Sequence, residues 1–160
     1  MPVESNWVQV AVGIVRDRQS RILMTSRPAS KVYAGWWEFP GGKLESGETV
    51  EQALVRELAE ELGLQTDVDH ITKLWSQQYV YAHARVMLHF CLVEIPRSAL
   101  PSTCLVQLEM REGQQACWLE FSGIDTRPAV PYPVLPASQP VIEQLQVTQG
   151  HLEGQVAVDR

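Results

Sequence analysis

Three glutamates close together in the chain, Glu57, Glu60 and Glu61, fall on one turn of a predicted helix and can converge on a cation. With about 100° of turn per residue and Glu57 at zero, Glu61 falls near 40°, Glu60 near 300° and Ala53 near 320°. Leu54, Leu58, Leu62, Val55 and Ala59 fill the arc from roughly 60° to 200°. The spacing therefore predicts an apolar face for a core and a separate carboxylate edge. Like charges this close repel one another unless a cation sits between them. Carboxylate oxygens suit a hard divalent ion, above all magnesium, which keeps several waters and takes substrate phosphates as further ligands. The pattern suits a magnesium site that receives a phosphate chain.

An isolated acidic edge is ordinarily a solvated helix face, but the surroundings here argue for more. Gly41-Gly42 follows Phe39-Pro40 and suits a backbone that bends sharply or approaches a ligand. Ser46-Gly47 signals a turn, Glu48-Thr49 opens the helix where its dipole favours negative charge, and Gly63 caps its end. Arg56 lies two turns after Glu48 and can bridge the acidic groups. From Gly42 the order is five residues, Glu48, seven residues, then Arg-Glu-Leu-x-Glu-Glu-x-Gly-Leu.

The elements that must position these groups can be read coarsely. Trp7 to Val15 and Ser20 to Ser26 are strand-like, with Asp17-Arg18-Gln19 turning between them. Residues 27–38 form a loop with two tryptophans that leads into the Gly-Gly turn, and the acidic helix covers about Thr49 to Leu62. Strands are expected over Ile71 to Tyr81 and Ala84 to Glu94, joined as a hairpin at Ala82-His83. Pro96 to Gln107 reads as a connection, 114–120 as a short strand and Phe121 to Thr126 as a short helix. Pro128, Pro131, Pro133, Pro136 and Pro140 punctuate a loop, and Val141 to Val147 reads as a final helix. One domain over 1–148, followed by a frayed tail over 149–160, is the expected organisation.

The segment from Gly42 to Leu64 resembles the Nudix box with every fixed position filled, and a motif this long and gapped seldom arises by chance. The likeness extends to Gln9-Val10-Ala11-Val12-Gly13-Ile14-Val15, Arg27, Trp37-Glu38-Phe39-Pro40-Gly41-Gly42-Lys43, Arg111-Glu112-Gly113-Gln114 and Leu135-Pro136-Ala137-Ser138-Gln139-Pro140-Val141-Ile142. These segments are similar in order and spacing to the MutT-like branch and run from residue 8 to about 146. The resemblance implies an α/β Nudix fold, an α/β/α sandwich around a mixed β-sheet. It also implies hydrolysis of a nucleoside triphosphate to the monophosphate and pyrophosphate, with magnesium as cofactor and manganese as a substitute.

On that basis Glu57, Glu60 and Glu61 are the expected main metal ligands, with the Gly42 carbonyl as a backbone contributor. Glu48 resembles the family's outer acidic residue, which orients the site or binds through water, and Arg56 is expected to hold the glutamates rather than the substrate. Catalysis of this kind rests on positioning and electrostatics, with a carboxylate to activate water. Glu57 is the expected base, and Glu112 the competitor, because MutT-like proteins carry a metal-binding or base-like glutamate in that loop.

Base recognition is less sharply specified. Arg27, Tyr33, Trp36, Trp37 and Phe39 precede the metal site, and aromatic planes suit stacking a nucleobase, although core packing accounts equally well for Phe39 and one tryptophan. Arg27 matches a family position near the sugar or phosphate, while Tyr79 and Tyr81 alternate on one strand and share a face that can line the pocket. His83 and His89 have no partner at metal-ligand spacing and read as a hairpin residue and a sheet-face residue. Ser138 departs from the family pattern, since MutT enzymes acting on oxidised guanine nucleotides carry Asn there. An amide offers donor and acceptor together, whereas a hydroxyl makes fewer bonds. Losing that pair costs about 1–3 kcal/mol, roughly tenfold or more in selectivity for 8-oxoguanine.

Composition is ordinary for a globular chain of 160 residues, with 45% apolar and 20% charged residues. The net charge is −6, and residues 43–61 carry two basic and six acidic side chains, so four of those charges belong to the proposed metal segment. No basic tract argues for a nucleic acid polymer as partner, and no apolar run is long enough to span a membrane. Cys91, Cys104 and Cys117 are odd in number and lack zinc-site pairing, which fits buried free thiols in a reducing cytoplasm. The expected partner is a nucleoside triphosphate, bound by a monomer or homodimer. Three functions are in view: a magnesium-dependent pyrophosphohydrolase for oxidised nucleotides such as 8-oxo-dGTP, serving nucleotide-pool sanitisation in DNA replication and repair; the same chemistry on CTP, dCTP or 5-substituted pyrimidine triphosphates; and a non-catalytic Nudix-like nucleotide sensor. The third is disfavoured because every box glutamate is present.

Overall fold

A computed structural model of the chain describes residues 6–95, 108, 110–121 and 129–156, with side chains up to 147. Its centre is β1, Val8–Arg16, whose Ala11 to Val15 are all buried, as suits a strand covered on both faces. On one side β1 pairs in parallel with β6, Arg85–Glu94, in register from Val8↔Val86 to Arg16↔Glu94. On its other side it meets β2, Ile22–Ser26, at Arg16↔Ile22, and β4, Gly41–Lys43, over Val10 to Val12. β3, Trp37–Glu38, and β7, Ala116–Leu119, both flank β2, and β5, Ile71–Val80, lies outside β6. Among the described residues the result is a mixed seven-stranded sheet.

The period-two alternation of β1 and β6 builds two cores. Ala11, Val15, Cys91 and Val93 point to the face covered by α1, Val50–Leu62, through Ala53, Leu54, Leu58 and Leu62. Val12, Ile14, Leu88 and Phe90 point to the opposite face, covered by α2, Gln139–Val156, through Val141 and Ile142. The chain is thus an α/β/α sandwich around a mixed sheet, as the resemblance implied.

α1 begins at Thr49, whose side chain accepts from the Gln52 N–H while the Gln52 side chain accepts from the Thr49 N–H, and ends at Gly63 in the left-handed region. The hairpin between β5 and β6 turns through Ala82-His83, closed by the Tyr81 N–H donating to the Ala84 carbonyl at 2.9 Å.

Several elements differ from the sequence expectation. The 27–38 loop and the Gly-Gly turn contain β3 and β4, strands too short and glycine-rich to show alternation. The first turn extends to Arg21, because Asp17 Oδ1 accepts from the Gln19 and Arg21 N–H groups. α2 starts at Gln139 and continues to Val156, past the expected end at Val147. The expected connection over 96–107 and the helix over 121–126, beyond Phe121, lie outside the described residues.

Candidate active site

Gly41 holds β4 against the β1 backbone at a distance that excludes a side chain, and at Gly42 a side chain could enter only by moving the Glu57 carboxylate. A Cβ on Gly41 would lie 2.0 Å from the Ala11 carbonyl oxygen, and one on Gly42 would lie 2.3 Å from Glu57 Cδ. The backbone of β4 thereby meets the carboxylate edge of α1.

That edge is knitted by Arg56. Its guanidinium donates to both Glu48 oxygens, from Nε at 2.7 Å and from Nη2 at 2.9 Å, to Glu57 Oε1 at 2.9 Å and to the Lys43 carbonyl at 3.0 Å. A longer contact of 3.3 Å reaches Glu60, which is exposed. The fork from Arg56 holds the Glu48 carboxyl down at about 2, and Glu48 in turn raises the guanidinium's pKa.

Glu61 is not on a separate edge. It is 8% exposed and sits inside the buried arc with Ala53, which is fully buried, while Val55 and Ala59 are only half-buried. The buried face is therefore rotated toward the glutamates relative to the apolar arc read from sequence. Burial first, and the nearby Glu57 charge second, push the Glu61 carboxyl up to about 8. The Lys31 ammonium approaches Glu61 Oε1 and Glu112 Oε2, each at 3.9 Å, and the Arg111 N–H donates to the Glu61 carbonyl at 3.1 Å. The 110–114 loop thus brings Glu112, 43% exposed at its side chain, to the C-terminal end of the carboxylate cluster. Among the described residues no three acidic, imidazole or thiol groups close into a metal cage.

A cavity of about 580 Å³ opens beside this cluster, with Gly42 and Glu57 in its wall. Its lining combines the apolar Val12, Leu88 and Phe90 with Tyr81, Ala137 and Ser138. Phe39 is both buried in the core and part of this wall. Arg27 lines it too, but its guanidinium is engaged: Nη1 donates to both Glu38 oxygens at 2.8 and 3.1 Å, and Nε to the Val32 carbonyl at 2.7 Å. Burial raises the Glu38 carboxyl against the lowering effect of Arg27. Tyr79 does not reach the wall; its ring packs 4.6 Å behind Tyr81. Burial pushes the Tyr81 phenol up to about 12.

Ser138 is buried and immediately precedes α2, where its carbonyl accepts from the Ile142 N–H at 3.2 Å. The segment before it is fixed to β3, because the Trp37 N–H donates to the Pro133 carbonyl and the Leu135 N–H to the Trp37 carbonyl. Sequence reasoning did not assign Lys31, Glu38 or His83 to the site, yet all three line the cavity. For Glu38 the signal was available in its place beside Phe39; for Lys31 and His83, isolated polar residues in loops, nothing local marked them.

Comparison with known proteins agrees with this architecture. The NUDIX domain family model matches residues 7–141. The chain is 37% identical over 139 residues to the 8-oxo-dGTP diphosphatase of Escherichia coli K12, covering 87% of this chain and 96% of that protein. It is 34% identical over 140 residues to the CTP pyrophosphohydrolase of the same organism, covering 85% and 89%. Among solved structures it is similar to the E. coli ORF135 protein, with a TM-score of 0.64 at 30% identity over 90% of this chain and 91% of that one. It is also similar to a structure from a study of MutT from Aliivibrio salmonicida and Vibrio cholerae, with a TM-score of 0.58 at 30% identity over 88% and 96%. No helix among the described residues is long and apolar enough to cross a membrane. With fold, box and full-length relatives in agreement, the chain belongs to the Nudix hydrolase family, in its MutT-like branch, as an enzyme acting on phosphoanhydride bonds.

Proposed function

We propose that the chain is a magnesium-dependent nucleoside triphosphate pyrophosphohydrolase that converts oxidised deoxynucleotides, with 8-oxo-dGTP foremost, to the monophosphate and pyrophosphate in the cytoplasm. The observation that carries this reading is one cavity whose lining holds Glu57 and Gly42 together with Tyr33, Phe39, Tyr81 and Ser138. The carboxylate groups suit a metal-bound phosphate chain, and the aromatic groups suit a base.

The donor set fits a hard dication in chemistry, being carboxylates and a carbonyl, and the bare α-carbon of Gly42 leaves the Glu57 carboxylate room that any side chain would fill. Glu57, Glu60, Glu61 and the Gly42 carbonyl would hold the ion, with Glu48 and Glu112 at its margin. When bound, it would polarise the phosphoryl group and offset its charge. Glu57 takes the proton from the attacking water as a new P–O bond forms and the anhydride P–O bond breaks, releasing pyrophosphate. Arg56 keeps Glu57 and Glu48 in position. With Arg27 committed to Glu38, Lys31 is a cavity cation, beside Lys43, and its contacts are long enough to yield to a phosphate.

A second reading, the same chemistry on CTP or dCTP, is favoured by Ser138. Ser138 lines the cavity with a short hydroxyl, and a CTP pyrophosphohydrolase is a relative at nearly the same identity as the 8-oxo-dGTP diphosphatase. Glu57→Gln is expected to abolish magnesium-dependent pyrophosphate release while leaving the thermal melting profile in place. Retained turnover would overturn the assignment of Glu57.

A further inference from the structure

Two loops that contribute to the cavity lining touch through their rings. Tyr33, from the 27–36 loop, lies 5.8 Å from Tyr81 and 5.9 Å from His83, and Tyr81 stacks on His83 at 5.6 Å between centroids. All three line the cavity. Behind them stand two rings outside its wall, Trp36 at 5.1 Å from Tyr33 and Tyr79 at 4.6 Å from Tyr81.

The loop is laced so as to aim Tyr33 inward. The Trp36 N–H donates to the Tyr33 carbonyl at 3.0 Å, the Arg27 N–H to the Trp36 carbonyl at 2.8 Å, and Arg27 Nε to the Val32 carbonyl at 2.7 Å. Tyr33 itself holds φ at +61°, a region that a bulky side chain enters only when its surroundings impose it. His83 occupies the tip of a two-residue turn and is exposed, so core packing does not account for its place.

We infer that Tyr33 and His83, together with Tyr81, form one aromatic wall for the nucleobase, which makes Tyr33 and His83 specificity-determining residues. The inference rests on the nucleotide reading of the same cavity. The three rings touch one another, so they offer the base a joined surface rather than a gap, and a larger ring gains more from it, so purines depend on the wall more than pyrimidines.

The test is equilibrium binding, with magnesium, of non-hydrolysable α,β-methylene analogues of dGTP and dCTP and of inorganic pyrophosphate, which has no base. Tyr33→Leu and His83→Leu are each expected to weaken the dGTP analogue roughly tenfold and the dCTP analogue less, with pyrophosphate unchanged. Tyr33→Phe restores binding, and the double Leu variant loses less than the product of the single losses because the two rings touch. Thermal melting establishes that each variant is folded, and His83→Leu, on an exposed turn, tests the aromatic wall without disturbing the core. Equal losses for nucleotide and pyrophosphate, or unchanged nucleotide binding, would overturn the aromatic wall alone. A wild-type chain that binds pyrophosphate but neither nucleotide would overturn the nucleotide reading and the aromatic wall with it.

Discussion

Gly42 and Glu57 compete for the same small volume, which makes the glycine a functional constraint rather than a conformational one. A methyl group at Gly42 would stand 2.3 Å from Glu57 Cδ, so Gly42→Ala must displace the carboxylate. Displacements of that size cost about a hundredfold in rate when the group acts on the reacting atoms. The variant is therefore expected to lose activity on that scale in steady-state assays while α1 stays folded by circular dichroism. Ser138 lines the same cavity. On the proposed reading, Ser138→Asn adds a paired donor and acceptor for the base and is expected to raise the ratio of 8-oxo-dGTP to dGTP turnover by roughly tenfold. An unchanged ratio would show that the base is not read at this position.

At the scale of elements, α1 is both a core helix and the support of the site. Thr49→Ala removes one half of the capping box and is expected to cost about 1 kcal/mol, read as a lower urea midpoint at constant m. Leu58, fully buried beneath the sheet, is expected to cost about 2–5 kcal/mol as Leu58→Ala. The boundaries of α1 were legible because its caps are local chemistry: Thr49 with Gln52 at one end and Gly63 at the other. β3 and β4 were not, because two- and three-residue strands exist only through their pairing with β2 and β1. The rotation of the buried face of α1 was hidden for a related reason. Helical arithmetic puts Glu61 among charges, and only tertiary packing, with the 110–114 loop and Lys31 brought against it, makes that position an interior one.

For the molecule as a whole, sandwiching β1 and β6 between two helices leaves Cys91 in the deep layer against α1. Burial pushes its thiol up to about 11. The folded state then keeps the proton that the unfolded chain releases near the ordinary value of 9.0. Stability from this group is complete below pH 9 and falls as the pH rises toward 11. Wild type is expected to lose more stability than Cys91→Ala across that window, measured by urea denaturation, and Cys91 should resist alkylation at pH 8 until the chain unfolds. The layered fold was readable only through the family resemblance that the box carries, and the longer strands were readable as segments from their apolar content; the order of strands in the sheet was not. The cavity was only half readable, since it is assembled from Lys31, Glu38, Tyr81, His83 and Ser138, which lie far apart in sequence and share no spacing.

The central claim is metal-dependent cleavage of a nucleoside triphosphate at the Glu57 end of this cavity. Its most direct test is product analysis with magnesium, with manganese and with chelator, on 8-oxo-dGTP, dGTP, CTP, dCTP, 5-methyl-dCTP and ADP-ribose. The account predicts pyrophosphate and the nucleoside monophosphate, formed only with metal and fastest from 8-oxo-dGTP. Fastest turnover of a pyrimidine triphosphate would keep the chemistry and transfer the substrate to the second reading. Orthophosphate as the product, cleavage that survives chelation, or no turnover of any triphosphate would contradict the claim.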